Sequence, residues 1–180
     1  LPLSNARELA LAGPLGSLDA YISAVGQVPV LSQADEAALA RRLPPVRCQG
    51  LHLENLHGFL ALTPKGCEAA LLELGAAVVE GTNPLRADLT EDEIARRRPD
   101  QLSPRQRELL DLWGYPQVME EFRFHLTLTD RLPDPAPVLQ VLGPYFAPAL
   151  PTPFVIQDLC LFGEDSGGRF HLLHRYALTG

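Results

Sequence analysis

Apolar and polar residues alternate without a break over Phe122-Arg123-Phe124-His125-Leu126-Thr127-Leu128-Thr129. A period of two predicts an extended strand over residues 122–129. Phe122, Phe124, Leu126 and Leu128 fall on the side that packs on a core. Arg123, His125, Thr127 and Thr129 fall on the other, setting a cation, an imidazole and two hydroxyls in a row. Such a row suits an oxyanion, phosphate above all: Arg pairs with it, Thr donates a hydrogen bond, and His exchanges a proton near neutral pH. Any half-buried strand alternates in this way, so the pattern alone weighs evenly between a ligand surface and a solvated face.

Elsewhere the pattern predicts helices and hairpins. Ser32 and Asp35 form a capping box that opens a helix over residues 34–43, stopped by Pro44-Pro45. Residues 46–62 read as two strands around a turn at 54–58. An Ala/Leu-rich helix follows over about 67–79 and ends in 81–84. Thr90 with Glu93, and Ser103-Pro104 with Gln106, cap two short helices, the second with Pro at its first position. The run Arg96-Arg97-Arg98 between them reads as a solvated turn. Trp113-Gly114-Tyr115-Pro116 is an aromatic turn. A Pro-flanked helix over about 137–146 precedes strands at 154–162 and 170–178, joined as a hairpin through Glu164-Asp165-Ser166-Gly167-Gly168. Residues 1–30 hold only a short helix near 5–12 and a loose strand at 21–30. A helix-then-hairpin unit thus occurs twice, at 32–62 and 137–178. This order predicts an α+β fold of two similar lobes, with antiparallel sheets around a central cleft.

The 180 residues suit one domain or two small fused lobes, and 46% hydrophobic with 21% charged residues suits a chain with a real core. The net charge of −7 argues against a nucleic-acid coat but leaves room for a local cationic pocket. Three cysteines, Cys48, Cys67 and Cys160, are an odd number without a C-x-x-C pair. That usage argues against a disulfide framework or cysteine zinc site and points to the reducing cytoplasm. No apolar run reaches membrane-spanning length.

The other histidines are His52, His57, His171 and His174. None has metal-ligand spacing such as H-x-x-x-H. His57 falls at a turn and His52 on a strand. His171 and His174, three apart on a strand, are expected on opposite faces. A structural or solvent-facing role is the expectation for each. The chain carries no P-loop, G-x-G-x-x-G or G-x-S-x-G motif.

The run from Leu89-Thr90-Glu91 to Arg98, then Leu102-Ser103-Pro104-Arg105-Gln106-Arg107, Trp113-Gly114-Tyr115-Pro116, and residues 119–129 resembles the uncharacterised protein family encoded in phosphonate-degradation operons. Gly58-Phe59-Leu60-Ala61-Leu62 fits it too. The resemblance runs from about residue 32 to the end and is dense over 86–131. That family is similar to the two-histidine phosphoesterases, in which each of two lobes contributes one His-x-Thr/Ser-x strand to a cleft. The resemblance implies metal-free cyclic phosphodiester hydrolysis without a cofactor, one His as base, the other as acid, and hydroxyls on the phosphate.

His125-Leu126-Thr127-Leu128 matches the second motif in full, so the resemblance implies His125 and Thr127 as catalytic and Thr127 with Arg123 as phosphate-binding. The first motif, of the form His-Ala-Thr-Leu-Lys-Pro-Pro-Phe, is not found. Ser23-Ala24-Val25-Gly26-Gln27-Val28-Pro29-Val30 aligns there, with Ser23 at the His position and Val25 at the Thr position. Either the motif is lost or its segment lies outside this sequence. The expected division is an N-terminal lobe over 1–62 and a C-terminal lobe over 63–180 with a helical insertion near 86–112. The expected ligand is a small phosphorylated molecule, such as a ribose cyclic phosphate, with a phosphate-binding protein that has lost one catalytic histidine as the alternative. His52 is the first candidate for a replacement base.

Overall fold

Both central capping boxes form in the computed structural model, which describes residues 33–180. Thr90 N–H donates to Glu93 at 2.8 Å and Glu93 N–H returns to Thr90 Oγ1 at 3.3 Å. Ser103 and Gln106 exchange the same pair at 3.1 Å each. The described elements are α1 (Gln33–Arg41), β1 (Val46–Cys48), β2 (Gly50–Leu56), β3 (Phe59–Lys65), α2 (Glu68–Thr82), α3 (Glu91–Arg96), α4 (Pro104–Trp113), β4 (Leu126–Thr127), α5 (Pro135–Phe146), β5 (Phe154–Ile156), β6 (Asp158–Glu164) and β7 (Phe170–Ala177). The fold is α+β, and all the strand pairs are antiparallel. Ser32, Ser23 and the elements expected before residue 30 lie outside the described residues.

The hairpin β2–β3 turns on only two residues, tighter than the expected turn at 54–58, because Leu56 pairs directly with Phe59. His57 and Gly58 both take positive φ, 53° and 101°, as the favoured two-residue hairpin turn requires. Asn55 Oδ1 accepts from Gly58 N–H at 2.9 Å and fixes that turn. The second hairpin, β6–β7, forms as expected, but the strand expected at 154–162 breaks at Gln157. Its first part, β5, pairs with β1 instead.

A helix, a short strand and a hairpin therefore occur in the same order twice: α1, β1, β2–β3 and α5, β5, β6–β7. The two short strands pair, with Arg47 opposite Val155 at the centre. The helices exchange: α1 packs on β7, while α5 packs on β2 and β3. One core cluster gathers Val46, Cys48, Cys67 and Leu71, with Phe124, Phe154 and Ile156 against it. A second gathers Ala40, Tyr176 and Leu178, with Ile156, Leu159 and Leu161 against it. Leu74 of α2 and Ile156 touch both clusters.

Three expectations need correction. Cys48 and Cys67 form a disulfide, with Cα atoms 5.0 Å apart. Odd cysteine number argues only against complete pairing; two cysteines 19 residues apart meet because β3 returns the chain beside the end of β1. The case for a reducing compartment drawn from cysteine usage loses its basis. The strand expected over 122–129 is paired only at Leu126 and Thr127. Met119–Glu121 is a 3₁₀ turn, and Arg123 donates to the Glu120 and Phe122 carbonyls at 2.7 Å each. His125 donates to the Arg123 carbonyl at 2.8 Å. These local bonds occupy backbone acceptors that a ladder would use. Leu126, expected buried, is 41% exposed.

The third correction concerns His171 and His174. The register slips by one between Leu161 and Phe162, so His174 faces Leu161 and His171 faces Gly163. Leu161 and Gly163 share a face, and the bulge therefore brings both histidines to one side, not to opposite ones. His174 lies against the Tyr176 ring at 4.3 Å, and His171 bonds Asp165 at 2.9 Å in the hairpin turn.

Closing a loop of 19 residues is worth about 3 kcal/mol in the chain-entropy account. The double variant Cys48→Ser/Cys67→Ser should lose about that much in urea unfolding, and added reductant should lower the wild type alone; equal midpoints for all three would refute it. Tyr176 supplies a pH test. Burial, with its hydrogen bond to the Glu36 carboxylate, pushes the phenol up to about 12. An unfolded tyrosine ionises near ~10, so the stability this contact contributes is complete below about pH 10 and is lost as pH rises from there through about 12. Unfolding free energy should fall over that window in the wild type and less steeply in Tyr176→Phe. Parallel slopes would refute the assignment.

Candidate functional site

Alternation on β2 and β3 builds one polar sheet face. Leu51-His52-Leu53-Glu54 and Leu62-Thr63-Pro64-Lys65 each put every second side chain on it. The register pairs His52 with Thr63 and Glu54 with Ala61. On the other side of β3, Ala61 pairs with Thr127. Facing residues in a ladder share a side, so His52, Glu54, Thr63 and Thr127 stand on one face. His125, two residues before Thr127, reaches the same face: its ring lies 5.6 Å from that of Phe59, which shares the side of Ala61.

Above part of this face lies a cleft of about 710 Å³. Its walls include His52, Glu54, Thr63 and Lys65 from the hairpin, Glu68 from α2 and Arg123 from the segment before β4. Phe122 and Phe124, both half-buried, close it on the α2 side. Phe122 sits so near α2 that a Cβ on Gly75 would come 3.1 Å from its ring, which would then have to shift by a few tenths of an ångström. Of the residues expected at the site, Arg123 lines the cleft, whereas His125 and Thr127 stand exposed beside it on the same face. A larger open hollow, about 890 Å³, is bordered by Thr90, Asp92, Glu93, Ala95 and Arg96 of α3 and its cap and gathers no such chemistry.

The carboxylates at the cleft are engaged. Thr63 Oγ1 donates to Glu54 Oε2 at 2.8 Å, and His52 Nε2 lies 3.4 Å from the same oxygen. Glu68 accepts from Gly66 N–H at 3.1 Å; its own backbone N–H, then that of Gly66, hold its carboxyl below the usual range, and His52 lowers it slightly further. Glu120 is held low by its hydrogen bonds with Arg105 and its own backbone. Lys65 and Arg123, by contrast, have no carboxylate partner among the described residues. The cleft thus holds two cations that no carboxylate contacts directly, beside Glu54 and Glu68, which keep their charge.

Hydrogen bonding also sets the His125 tautomer. A carbonyl only accepts, so Nδ1 carries the proton given to Arg123, and Nε2 is left for proton exchange or a ligand. Glu54, Thr63, Lys65 and Glu68 escaped the sequence reading, although the alternation in β2 and β3 has the same form as that at 122–129. Among the described residues no three His, Cys, Asp or Glu side chains converge as metal ligands would. No described helix is long and apolar enough to cross a membrane.

Comparison with known proteins gives kinship without a fold precedent. The chain is similar to two curated relatives, each named ribose 1,5-bisphosphate phosphokinase PhnN. That of Janthinobacterium sp. (strain Marseille) is 47% identical over 82 residues, 46% of this chain and 18% of that protein. That of Laribacter hongkongensis (strain HLHK9) is 35% identical over 123 residues, 66% of this chain and 27% of that protein. The chain therefore spans only 18% and 27% of the length of the relatives it matches. No solved structure matches it. The profile of a family described as "Protein of unknown function (DUF1045)" matches residues 28–171, and the chain belongs to that family.

Proposed function

We propose that the cleft over β2 and β3, with the exposed β4 beside it, binds a small phosphorylated sugar and that the chain hydrolyses a cyclic phosphodiester there without a metal. The observation that carries this reading is the pair Lys65 and Arg123, cations without a carboxylate partner among the described residues, beside a sheet face of imidazoles and hydroxyls. Arg123 now spends its guanidinium on two neutral carbonyls. A phosphate anion offers it stronger, charge-assisted bonds. Thr127 donates a hydrogen bond to a phosphoryl oxygen, and His125, through Nε2, protonates the leaving sugar oxygen.

Kinship supports the ligand class. Two relatives are named for a phosphorylated ribose, and their PhnN name agrees with the phosphonate-operon association drawn from sequence resemblance. The kinase name belongs to proteins several times longer than the shared segment, and this chain has no P-loop. The repeated helix–strand–hairpin unit supports a two-lobed reading, with the helices near 86–112 inserted between the units. In a second reading the cleft binds the phosphorylated ligand and turns nothing over.

Two measurements test these readings. Calorimetry with inorganic phosphate from pH 5 to 8 should show affinity falling as pH rises, because protonated imidazole attracts the anion and neutral imidazole does not. Arg123→Ala should weaken binding at every pH, and affinity independent of pH would remove His125 from the anion contact. Assays with ribose and nucleoside cyclic phosphates should show slow, chelator-resistant hydrolysis that falls roughly 10²–10⁴-fold in His125→Ala. Activity indifferent to His125→Ala, or abolished by chelator, would refute the mechanism. Phosphate binding without any turnover would establish the second reading.

A further inference from the structure

We infer that the exposed face of α5 is a self-association surface, on which a second copy of this chain packs its own α5 antiparallel across a two-fold axis. It holds whether or not the cleft is a phosphoesterase site.

The first support is the absence of charge. From Pro135 to Gln157 the chain carries no Asp, Glu, Lys, Arg or His, the longest such run in the sequence. α5 lies wholly within it and has no fully buried residue. One flank of the helix packs on β2 and β3. The other presents Pro137, Gln140, Val141, Pro144 and Tyr145, all exposed and spaced as one helical face. Val141 and Tyr145 are 70% and 73% exposed, the highest values among the large apolar residues described. A surface helix turns charged residues to water, and a helix apolar all round is ordinarily covered. α1, in the matching place of the other unit, follows the ordinary rule with Asp35, Glu36 and Arg41. The unit itself therefore does not require an uncharged helix there.

The second support concerns what covers the face. With a net charge of −7, two copies repel one another over most of their surfaces. The α5 face lets them meet without opposing like charges. It is also self-complementary. Pro144 has no N–H, so the Gln140 carbonyl lacks its helical bond, and because Pro144 is exposed the gap opens on this face. The Tyr145 ring packs edge-on to Phe146, and its hydroxyl has no hydrogen-bond partner among the described residues. One acceptor and one donor thus share the face. In an antiparallel pair that sets Val141 of each copy against Pro144 of the other, Gln140 of each faces Tyr145 of the other. The hydroxyl–carbonyl bond then forms twice, as a two-fold interface requires.

The geometry also fixes the strength. The 12 residues of α5 rise about 18 Å, a short seam at the small end of specific interfaces. Proline at positions 137 and 144 fixes the backbone beforehand, which lowers the cost of ordering it on association. A dimer that exchanges with monomer at micromolar concentration is the expected result.

Sedimentation equilibrium of the whole chain, from micromolar to near-millimolar, should show the 19.7 kDa monomer in exchange with a species of twice that mass. Val141→Glu sets like charges against the seam from both copies. It should stay monomeric at every concentration while keeping the far-UV circular dichroism and urea midpoint of the wild type. Tyr145→Phe and Pro144→Ala should each weaken the dimer roughly 10-fold or more, because the lost bond occurs twice. Combined, they should weaken it little further, since both remove the same bond. A wild type that is monomeric throughout overturns the inference, whatever else covers the face. A dimer unchanged by Val141→Glu places association elsewhere and overturns it too. If Val141→Glu does not fold, the other two variants decide: dimerisation equal to wild type in both refutes the α5 pairing.

Discussion

Three paired residues hold the molecule in register. Val46, Arg47 and Cys48 face Ile156, Val155 and Phe154 across the β1–β5 ladder. Val46 and Cys48 are nearly inaccessible, at 3% and 1%, and Ile156 touches both core clusters. A ladder this short contributes little by its own hydrogen bonds, which net about 1 kcal/mol each at best. Its weight comes from what it aligns: once β1 lies against β5, α1 covers β7 and α5 covers β2 and β3. Each helix packs on the hairpin of the other unit, α1 burying Leu39 and Ala40 and α5 staying half-exposed.

The same ladder sets the polar face. Cys48 ends β1, and its disulfide to Cys67 ties that end to the residue capping α2. Between the two cysteines the β2–β3 hairpin must leave and return, which places His52, Thr63 and Lys65 on the side that α2 overhangs. Phe124 packs into the cluster around that disulfide and against Phe154 at 6.0 Å. This anchoring brings the chain to β4, so Arg123 reaches the cleft and Thr127 meets Ala61. Hydrophobic burial and one covalent bond thus position side chains that contribute nothing to the core themselves.

Charge at the cleft follows from which carboxylates are already satisfied. Glu54 and Glu68 spend their lone pairs on a hydroxyl, an imidazole and backbone N–H groups, and Glu120 on Arg105. Engaged carboxylates repel an incoming anion less than bare ones, and Arg123 and Lys65 keep their charge for it. A chain with net charge −7 in this way keeps two cations at one cleft.

Local signals in the sequence were sufficient wherever the physics is local. The Thr90 and Ser103 capping boxes, the helix stop at Pro44-Pro45 and the hairpin through residues 164–168 all depend on a few neighbouring residues, and each is present. The alternation at 122–129 was legible as a pattern of exposure at Arg123 and His125, yet most of it is unpaired, since pairing depends on a neighbouring strand and on competing side-chain bonds. The Cys48–Cys67 bond, the bulge that turns His171 and His174 to one side, and the row His52–Thr63 beside Thr127 were decided only by tertiary structure. Each depends on register between segments distant in the chain, and a one-residue slip in register exchanges the two faces of a strand while leaving the sequence pattern untouched.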